Sequence, residues 1–230
     1  MISRIAVLRP EPGNAATCAR ILAAGSAPLA MPLFAVRAID WRPPPPDDFD
    51  ALLLTSANAA RMAGSALAHY RHLPTVAVGK ATAAAARDAG LMVSATGDGD
   101  ALAAMAMLTE TGSAHALHLT GREHLLHAGG SIARVVSVYA SDALAIDPLD
   151  LQARLEGCVA LLHSPRAAAR LNELVAQRAG IALAAISANA LAAAGTGWAA
   201  AVAAAAPDDA ALINAACGLT RDRSSGIRGA

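Results

Sequence analysis

Two stretches of this chain are built alike, and their spacing constrains the fold more than any other feature. LLLTSANAAR, residues 52–61, is an apolar run broken by Thr55, Ser56 and Asn58 and followed by an alanine-rich segment; ALLHSPRAAARL, residues 160–171, follows the same plan. Ser56 aligns with Ser164, and 164 − 56 = 108. Gly79 in VAVGKATAAAA aligns with Ser187 in AAISANALAAA, where 187 − 79 is again 108. DALAAMAML from Asp100 resembles DAALINAAC from Asp209, at 209 − 100 = 109. A nearly constant offset over three segments predicts two similar units, each repeating strand, polar loop and helix. Such alternation belongs to the α/β class, with parallel sheets flanked by helices and ligands taken up at the C-terminal ends of the strands.

The remaining elements fit this plan. RIAVLRP reads as a buried strand running into the loop RPEPGNAAT, with a helix from about Thr17 to Ala24. PLAMPLFAV reads as one second strand. WRPPPPDDFD, residues 41–50, holds four consecutive prolines that enforce extended backbone, so it is expected to be a linker. DALLLTS, TVAVG and HALHLTG are further strands, each expected to lead through a loop into a helix. RVVSVYAS reads as a strand and DPLDLQARLEG as an amphipathic helix, while TRDRSSGIRGA lacks apolar periodicity and is expected to be a disordered tail. Residues 181–206 carry no formal charge, yet they are mostly alanine and lack basic flanks or an aromatic belt. We read them as strand, turn and helix rather than a membrane span. Eighteen basic residues balance eighteen acidic ones, which argues against a general nucleic-acid binder. Cys18, Cys158 and Cys217 are scattered and apolar-flanked, as reduced thiols of a cytoplasmic protein would be, and MISRIAVLRPEPG has too short an apolar stretch for a signal peptide.

Ser56 and Ser164 stand where a strand hands over to a helix, the place of an N-cap, and Pro165 suits a first helical position. Several helix N-termini facing one cleft would also attract an anionic ligand. Gly79 with Lys80 and Thr82, and Thr120 with Gly121 and Arg122, suggest the same geometry. No loop matches a P-loop or a dinucleotide fingerprint, and GDGD at 97–100 is too short to replace one. His115 and His118 would point to opposite faces of a strand, while His124 and His127 would share a helix face. No carboxylate or cysteine completes a metal set at the usual spacing. His163 beside Ser164 lacks the nucleophile-elbow pattern of a hydrolase. Tyr139, at the end of RVVSVY, reads by itself as a strand-end aromatic.

Taken in order, LRPEPGN, PLF at 32–34, DALLLTSANAAR, LPTVAVGKATAAAARDAG, LTGREH, VY at 138–139, LLHSPRAAARL and PDDAAL resemble the uroporphyrinogen-III synthase family over most of residues 4–216. The resemblance implies two α/β domains joined by a two-stranded linker: 1–34 with 146–220, linker segments 35–47 and 139–145, domain 48–138, and a tail from 221. The implied reaction cyclises hydroxymethylbilane to uroporphyrinogen III, with loss of water and inversion of the last ring and without metal or organic cofactor. By the same analogy Tyr139 assists departure of the hydroxyl. Arg9, Thr55, Ser56, Asn58, Gly79, Lys80, Thr120, Gly121, Ser164 and Ser187 would line the substrate cleft. Many family members carry a Gly-Pro-x-Thr type loop where this chain has Ser187–Ala188–Asn189–Ala190, so any contact there falls to Ser187 or Asn189. Arg61, Arg122 and Arg166 stay at the margin, since helix arginines are ordinarily solvated. The partners expected are the tetrapyrrole substrate and, at most, a transient contact with the bilane-making enzyme, for a cytoplasmic monomer that binds neither nucleic acid nor membrane. The alternative is a non-catalytic two-domain protein that binds a tetrapyrrole or another small anion.

Overall fold

The computed structural model describes residues 4–97 and 101–226. Its contacts cluster into two compact units, Met1–Ala35 with Ala143–Ala230, and Val36–Asp142. Strands and helices are numbered along the chain. The first unit holds β1 (Arg4–Val7), β2 (Ala27–Ala30), β9 (Val159–Leu162), β10 (Ala182–Ala185) and β11 (Ala200–Ala203), ordered β11-β10-β9-β1-β2 with every pairing parallel. Its helices are α1 (Gly13–Ala23), α5 (Pro148–Leu155), α6 (Pro165–Leu174), α7 (Ala188–Ala193) and α8 (Asp209–Gly226). The second unit holds β3 (Phe34–Ala38), which starts two residues before the boundary, then β4 (Ala51–Leu54), β5 (Pro74–Val78), β6 (Met92–Gly97), β7 (Ala116–Gly121) and β8 (Ile132–Ala143). Their order is β3-β8-β7-β4-β5-β6, and the helices are α2 (Ala57–Met62), α3 (Lys80–Asp88) and α4 (Ala101–Glu110).

Both sheets are covered on two faces, which is why β4, β9 and β10 are buried along their whole length and read as unbroken apolar runs. The pleat sorts their side chains. In β1, Ile5 and Val7 meet Ile21 of α1 and Leu212 of α8, while Ala6 joins Leu151 of α5, Leu171 of α6 and Ala190 of α7 on the other side. In the second sheet Leu52 and Leu54 pack with Ala59 of α2 and Ala85 of α3, and Leu53 packs with Ala104 and Leu108 of α4. Each fully buried leucine contributes about 1.5–3 kcal/mol, and the helix alanines that face them let the layers approach closely.

The repeat is visible in the topology. β9-α6-β10-α7-β11-α8 follows the plan of β4-α2-β5-α3-β6-α4, β1 lies beside β9 as β7 lies beside β4, and β2 beside β1 as β8 beside β7. The outer pair closes the second unit in the chain but opens the first, so one unit is a circular permutation of the other.

Several elements differ from the sequence expectation. α1 begins at Gly13 rather than near Thr17, because Glu11 Oε2 accepts from Ala15 N at 3.0 Å and the Asn14 amide donates to the carbonyls of Val7 and Arg9 at 2.8 and 2.9 Å. PLAMPLFAV is two strands in two sheets. Pro32 has no N–H to continue the ladder, so β2 stops at Ala30 and β3 starts anew at Phe34. Leu144 N donates to Leu33 O and Ile39 N to Val138 O, pairings that run in opposite sense, so β3 is antiparallel to β8 and the second sheet is mixed. β7 is not followed by a helix: Gly129 and Gly130 have φ of 144° and 55°, and residues 122–131 form a loop before the parallel β8. Thr120, Gly121 and Arg122 therefore do not precede a helix N-terminus. Residues 181–206 form strand, helix and strand, and no described helix is long and apolar enough to cross a membrane. α8 continues to Gly226 where a disordered tail was expected from 221, since extending an existing helix is far easier than nucleating one. Residues 227–230, and 98–100 of GDGD, lie outside the described residues. The proline segment is fastened within the second unit: Tyr70 Oη donates to Pro44 O at 2.7 Å, and Trp41 Nε1 donates to Ala63 O at 3.0 Å.

Candidate functional site

Parallel strands bring the loops of the second sheet to one edge. Thr55 and Ser56 follow β4, Gly79 and Lys80 follow β5, and Thr120 and Gly121 end β7. Ser56 caps α2, its Oγ accepting from Asn58 N at 3.2 Å, which ties Asn58 to the loop through its backbone. Gly79 enters α3 with φ 88°, a conformation that favours glycine, and no side chain caps this helix. Lys80, exposed at the first position, places a cation at the positive end of the dipole, an arrangement that a bound anion would relieve.

Tyr139 is set by an irregularity. Thr120 pairs with Ser137 but Gly121 pairs with Tyr139, so Val138 is an extra residue and the register shifts. The half-buried Tyr139 ring thereby lies on the Cα of Gly121. A Cβ there would stand 2.7 Å from Cζ and 2.9 Å from Oη, space that only glycine leaves. Among the described residues the Tyr139 hydroxyl engages no partner, while its backbone O accepts from Arg122 N at 2.9 Å.

His118 lies beneath this edge, 1% exposed, with Nε2 at 3.0 Å from Thr55 Oγ1. Burial, with a smaller contribution from His124, pushes its pKa down to about 4. The other histidines are not arranged as expected: His124 and His127 stand 5.7 Å apart in the loop, not on a helix, and His124 Nδ1 bonds to Gly121 O at 3.0 Å. Among the described residues no three His, Cys, Asp or Glu side chains gather as a metal site requires. Arg122 is likewise on a loop, paired with Asp142 at 3.2 Å.

In the first unit Arg9 follows β1, Ser164 follows β9 and Ser187 follows β10. Ser164 Oγ accepts from Ala167 N at 3.1 Å, with Pro165 at the first helical position, and Ser187 Oγ accepts from Ala190 N at 3.2 Å. Each serine is an acceptor toward its helix and keeps its own proton to donate outward. Asn189 is exposed on α7, and the Arg166 guanidinium sits 4.4 Å over the Phe34 ring.

Sequence reasoning missed a polar hub at the same edge of this sheet. Asp209, at the start of α8, accepts from His163 Nε2 at 2.9 Å, Thr17 Oγ1 at 3.0 Å and Arg20 at 2.6 Å, and Arg9 Nη1 approaches to 3.8 Å. Burial alone would raise its pKa, but these donors hold it down to about 2, while burial lowers that of His163. The Arg9 guanidinium also lies across Gly13 Cα, and a Cβ there would push it aside. His163 and Asp209 are 46 residues apart in the chain, so no local pattern marks the pair.

A family model for uroporphyrinogen-III synthase HemD matches residues 15–214. The chain belongs to the uroporphyrinogen-III synthase family. That family places it among the enzymes of tetrapyrrole synthesis. The uroporphyrinogen-III synthetase of Helicobacter pylori has a similar structure, with a TM-score of 0.65 at 18% identity, covering 94% of this chain and 99% of that one. A mutant uroporphyrinogen III synthase of Thermus thermophilus gives 0.57 at 17% identity, covering 97% and 99%. At such identities these two likenesses concern the fold. No curated protein matches the chain.

Proposed function

We propose that this protein cyclises hydroxymethylbilane to uroporphyrinogen III as a hydro-lyase, with Tyr139 assisting loss of the hydroxyl. The observation that carries the reading is the family match over residues 15–214. Loss of the hydroxyl breaks the C–O bond as the pyrrole nitrogen pushes electrons outward. The Tyr139 O–H donates to the departing oxygen, which leaves as water, and loss of the pyrrole N–H proton gives the azafulvene and restores the donor's proton. The carbon of the last ring that carries its methylene bridge attacks the azafulvene to give the spiro intermediate. Its bond to that bridge then breaks to leave a second azafulvene, which the ring's free α-carbon attacks with loss of its proton, so the ring recloses reversed. Hydrogen-bond or proton donation of this kind contributes about 10²–10⁴-fold. The larger task is to hold a flexible chain in the geometry of the spiro closure, since unassisted closure leaves the ring uninverted.

The substrate's carboxylates suit the donors at the two sheet edges. Thr55, Ser56, Ser164 and Ser187 offer hydroxyls, Gly79 and Lys80 offer an uncapped helix start with a cation, and Arg9 offers a guanidinium. Thr120, Gly121 and Asn58 complete the second unit's edge, with Gly121 acting through the ring it accommodates. We take the protein to work as a cytoplasmic monomer, with any hand-over from the bilane-making enzyme transient.

The test is a product-isomer assay on freshly generated hydroxymethylbilane. Isomer III is expected, and Tyr139→Phe is expected to slow its formation by about 10²-fold or more while unfolding stays unchanged. Isomer I alone, at the protein-free rate, would leave a tetrapyrrole-binding protein without turnover. Wild-type turnover in the variant would remove Tyr139 from the mechanism.

A further inference from the structure

His118 has two ring nitrogens and only one visible task. Nε2 lies 3.0 Å from Thr55 Oγ1, while Nδ1 is buried and has no hydrogen-bond partner among the described residues. The pairing follows from the sheet: Leu53 of β4 is in register with His118 of β7, and Thr55 is two residues past Leu53 on the same face. Burial keeps the ring uncharged at neutral pH, so it carries one proton.

Two tautomers are available. With the proton on Nδ1, a buried N–H has no acceptor, and Nε2 must accept from Thr55, which uses up the threonine's only proton. With the proton on Nε2, the ring donates to Thr55 Oγ1, and only an acceptor lone pair is left without a partner. Buried donors without acceptors are the rarer defect in folded proteins, which favours the second arrangement. In it, Thr55 Oγ1 accepts from His118 and its own proton turns outward. Ser56 is in the same condition, since its Oγ accepts from Asn58 N. Two adjacent hydroxyls, each held as an acceptor by the protein, are then both donors to whatever approaches the end of β4.

We propose that His118 is a positioning residue that, as the Nε2–H tautomer, sets the Thr55 hydroxyl as a donor to a carboxylate of the substrate. The inference rests on the reading above, that the loop after β4 holds a carboxylated tetrapyrrole.

Its direct test is nitrogen NMR of protein labelled at its seven histidines, with His118 assigned by the signals that vanish in His118→Gln. A protonated Nε2 with a pyridine-type Nδ1 is expected, and the opposite tautomer would overturn the proposal. Kinetics supply the second readout. Thr55→Val is expected to raise KM for hydroxymethylbilane about tenfold, the loss of one hydrogen bond to a charged group. His118→Met should raise KM several-fold with little change in kcat, and His118→Gln, which keeps a donor near the Nε2 position, should restore it. The Thr55→Val/His118→Met double variant should be no worse than Thr55→Val alone. If Thr55→Val leaves KM unchanged, the loop does not hold substrate and the underlying reading fails there. If Thr55→Val is impaired but His118→Met is not, the positioning role alone is refuted. Where His118→Met does not fold, a wild-type KM in His118→Gln with the Nε2–H tautomer in the parent supports the proposal, and the Nδ1–H tautomer overturns it.

Discussion

Gly121→Ala tests the placement of Tyr139 most directly, because the structure supplies the displacement. The new Cβ would sit 2.7 Å from Cζ and 2.9 Å from both Cε2 and Oη of Tyr139, where ordinary contact begins at 3.4 Å. The ring must therefore retreat by 3.4 − 2.7 = 0.7 Å to regain ordinary contact. Overpacking of this kind costs about 1–3 kcal/mol. Replacing glycine where its φ is unexceptional returns about 0.4–1 kcal/mol through the unfolded chain, so a net loss of about 0.5–2 kcal/mol is expected. On the role proposed for Tyr139, function should suffer more than stability, since a shift approaching 1 Å at a group that takes part in the reaction costs about 10²-fold. Urea unfolding and isomer III formation would be followed together. In Gly121→Ala/Tyr139→Leu the lost stability should return while activity does not, because the obstructing ring is gone. Wild-type turnover together with wild-type stability in Gly121→Ala would refute the reasoning.

Acid should weaken the fold in two separate stages. The folded pKa of His118, about 4, lies below the ordinary histidine value of 6.5, so between these values the unfolded chain binds a proton that the folded chain refuses. Stability then falls as pH drops through this window by (6.5 − 4) × ~1.4, about 3–4 kcal/mol, and His163 acts in the same direction. Urea titrations from pH 7 to about 4 should show the slope much reduced in His118→Met; parallel curves would contradict it. Asp209 titrates lower: its folded pKa of about 2 lies below 3.8, so its contribution is present above pH 3.8 and disappears as pH falls towards 2. Discounted for partial solvent screening, that contribution is about 1–2 kcal/mol. Asp209→Asn should show a comparable loss at neutral pH by thermal melting, and an unchanged Tm would mean that the hub is not stabilising.

Much of the fold was legible because alternation and repeat are local properties. A strand of Leu and Val, a Ser or Gly at the turn and an alanine helix recur with a fixed offset, and the structure honours each as strand, cap and helix. What was not legible depends on partners distant in the chain. PLAMPLFAV carries one apolar signal for two strands, and only Pro32 hints that the ladder must break. REHLLHAGG has helix-like spacing, yet His124 bonds back to the carbonyl of Gly121 and the two glycines close a loop instead. The candidate loops could be read from their cap chemistry, whereas the extra Val138 that lays Tyr139 on Gly121 has no mark in RVVSVY. Asp209 drew notice only as the start of a repeat segment, because its partner Thr17 lies 192 residues away.

The permuted order of the first unit carries a consequence for synthesis on the ribosome. β1 is made before every other strand of its sheet, yet it lies inside that sheet, between β2 and β9, and Ile5 waits for Val159, a separation of 159 − 5 = 154 residues. When Ala143 has emerged, the second sheet possesses all six strands, while the first possesses only β1 and β2. A parallel pair with one helix is too small to persist alone, so β1 and β2 stay exposed after the second sheet is complete, their apolar residues open to wrong partners until β9 arrives. Deletion of β1 would therefore leave the second sheet entire and open the first along β9, at its centre rather than at its rim.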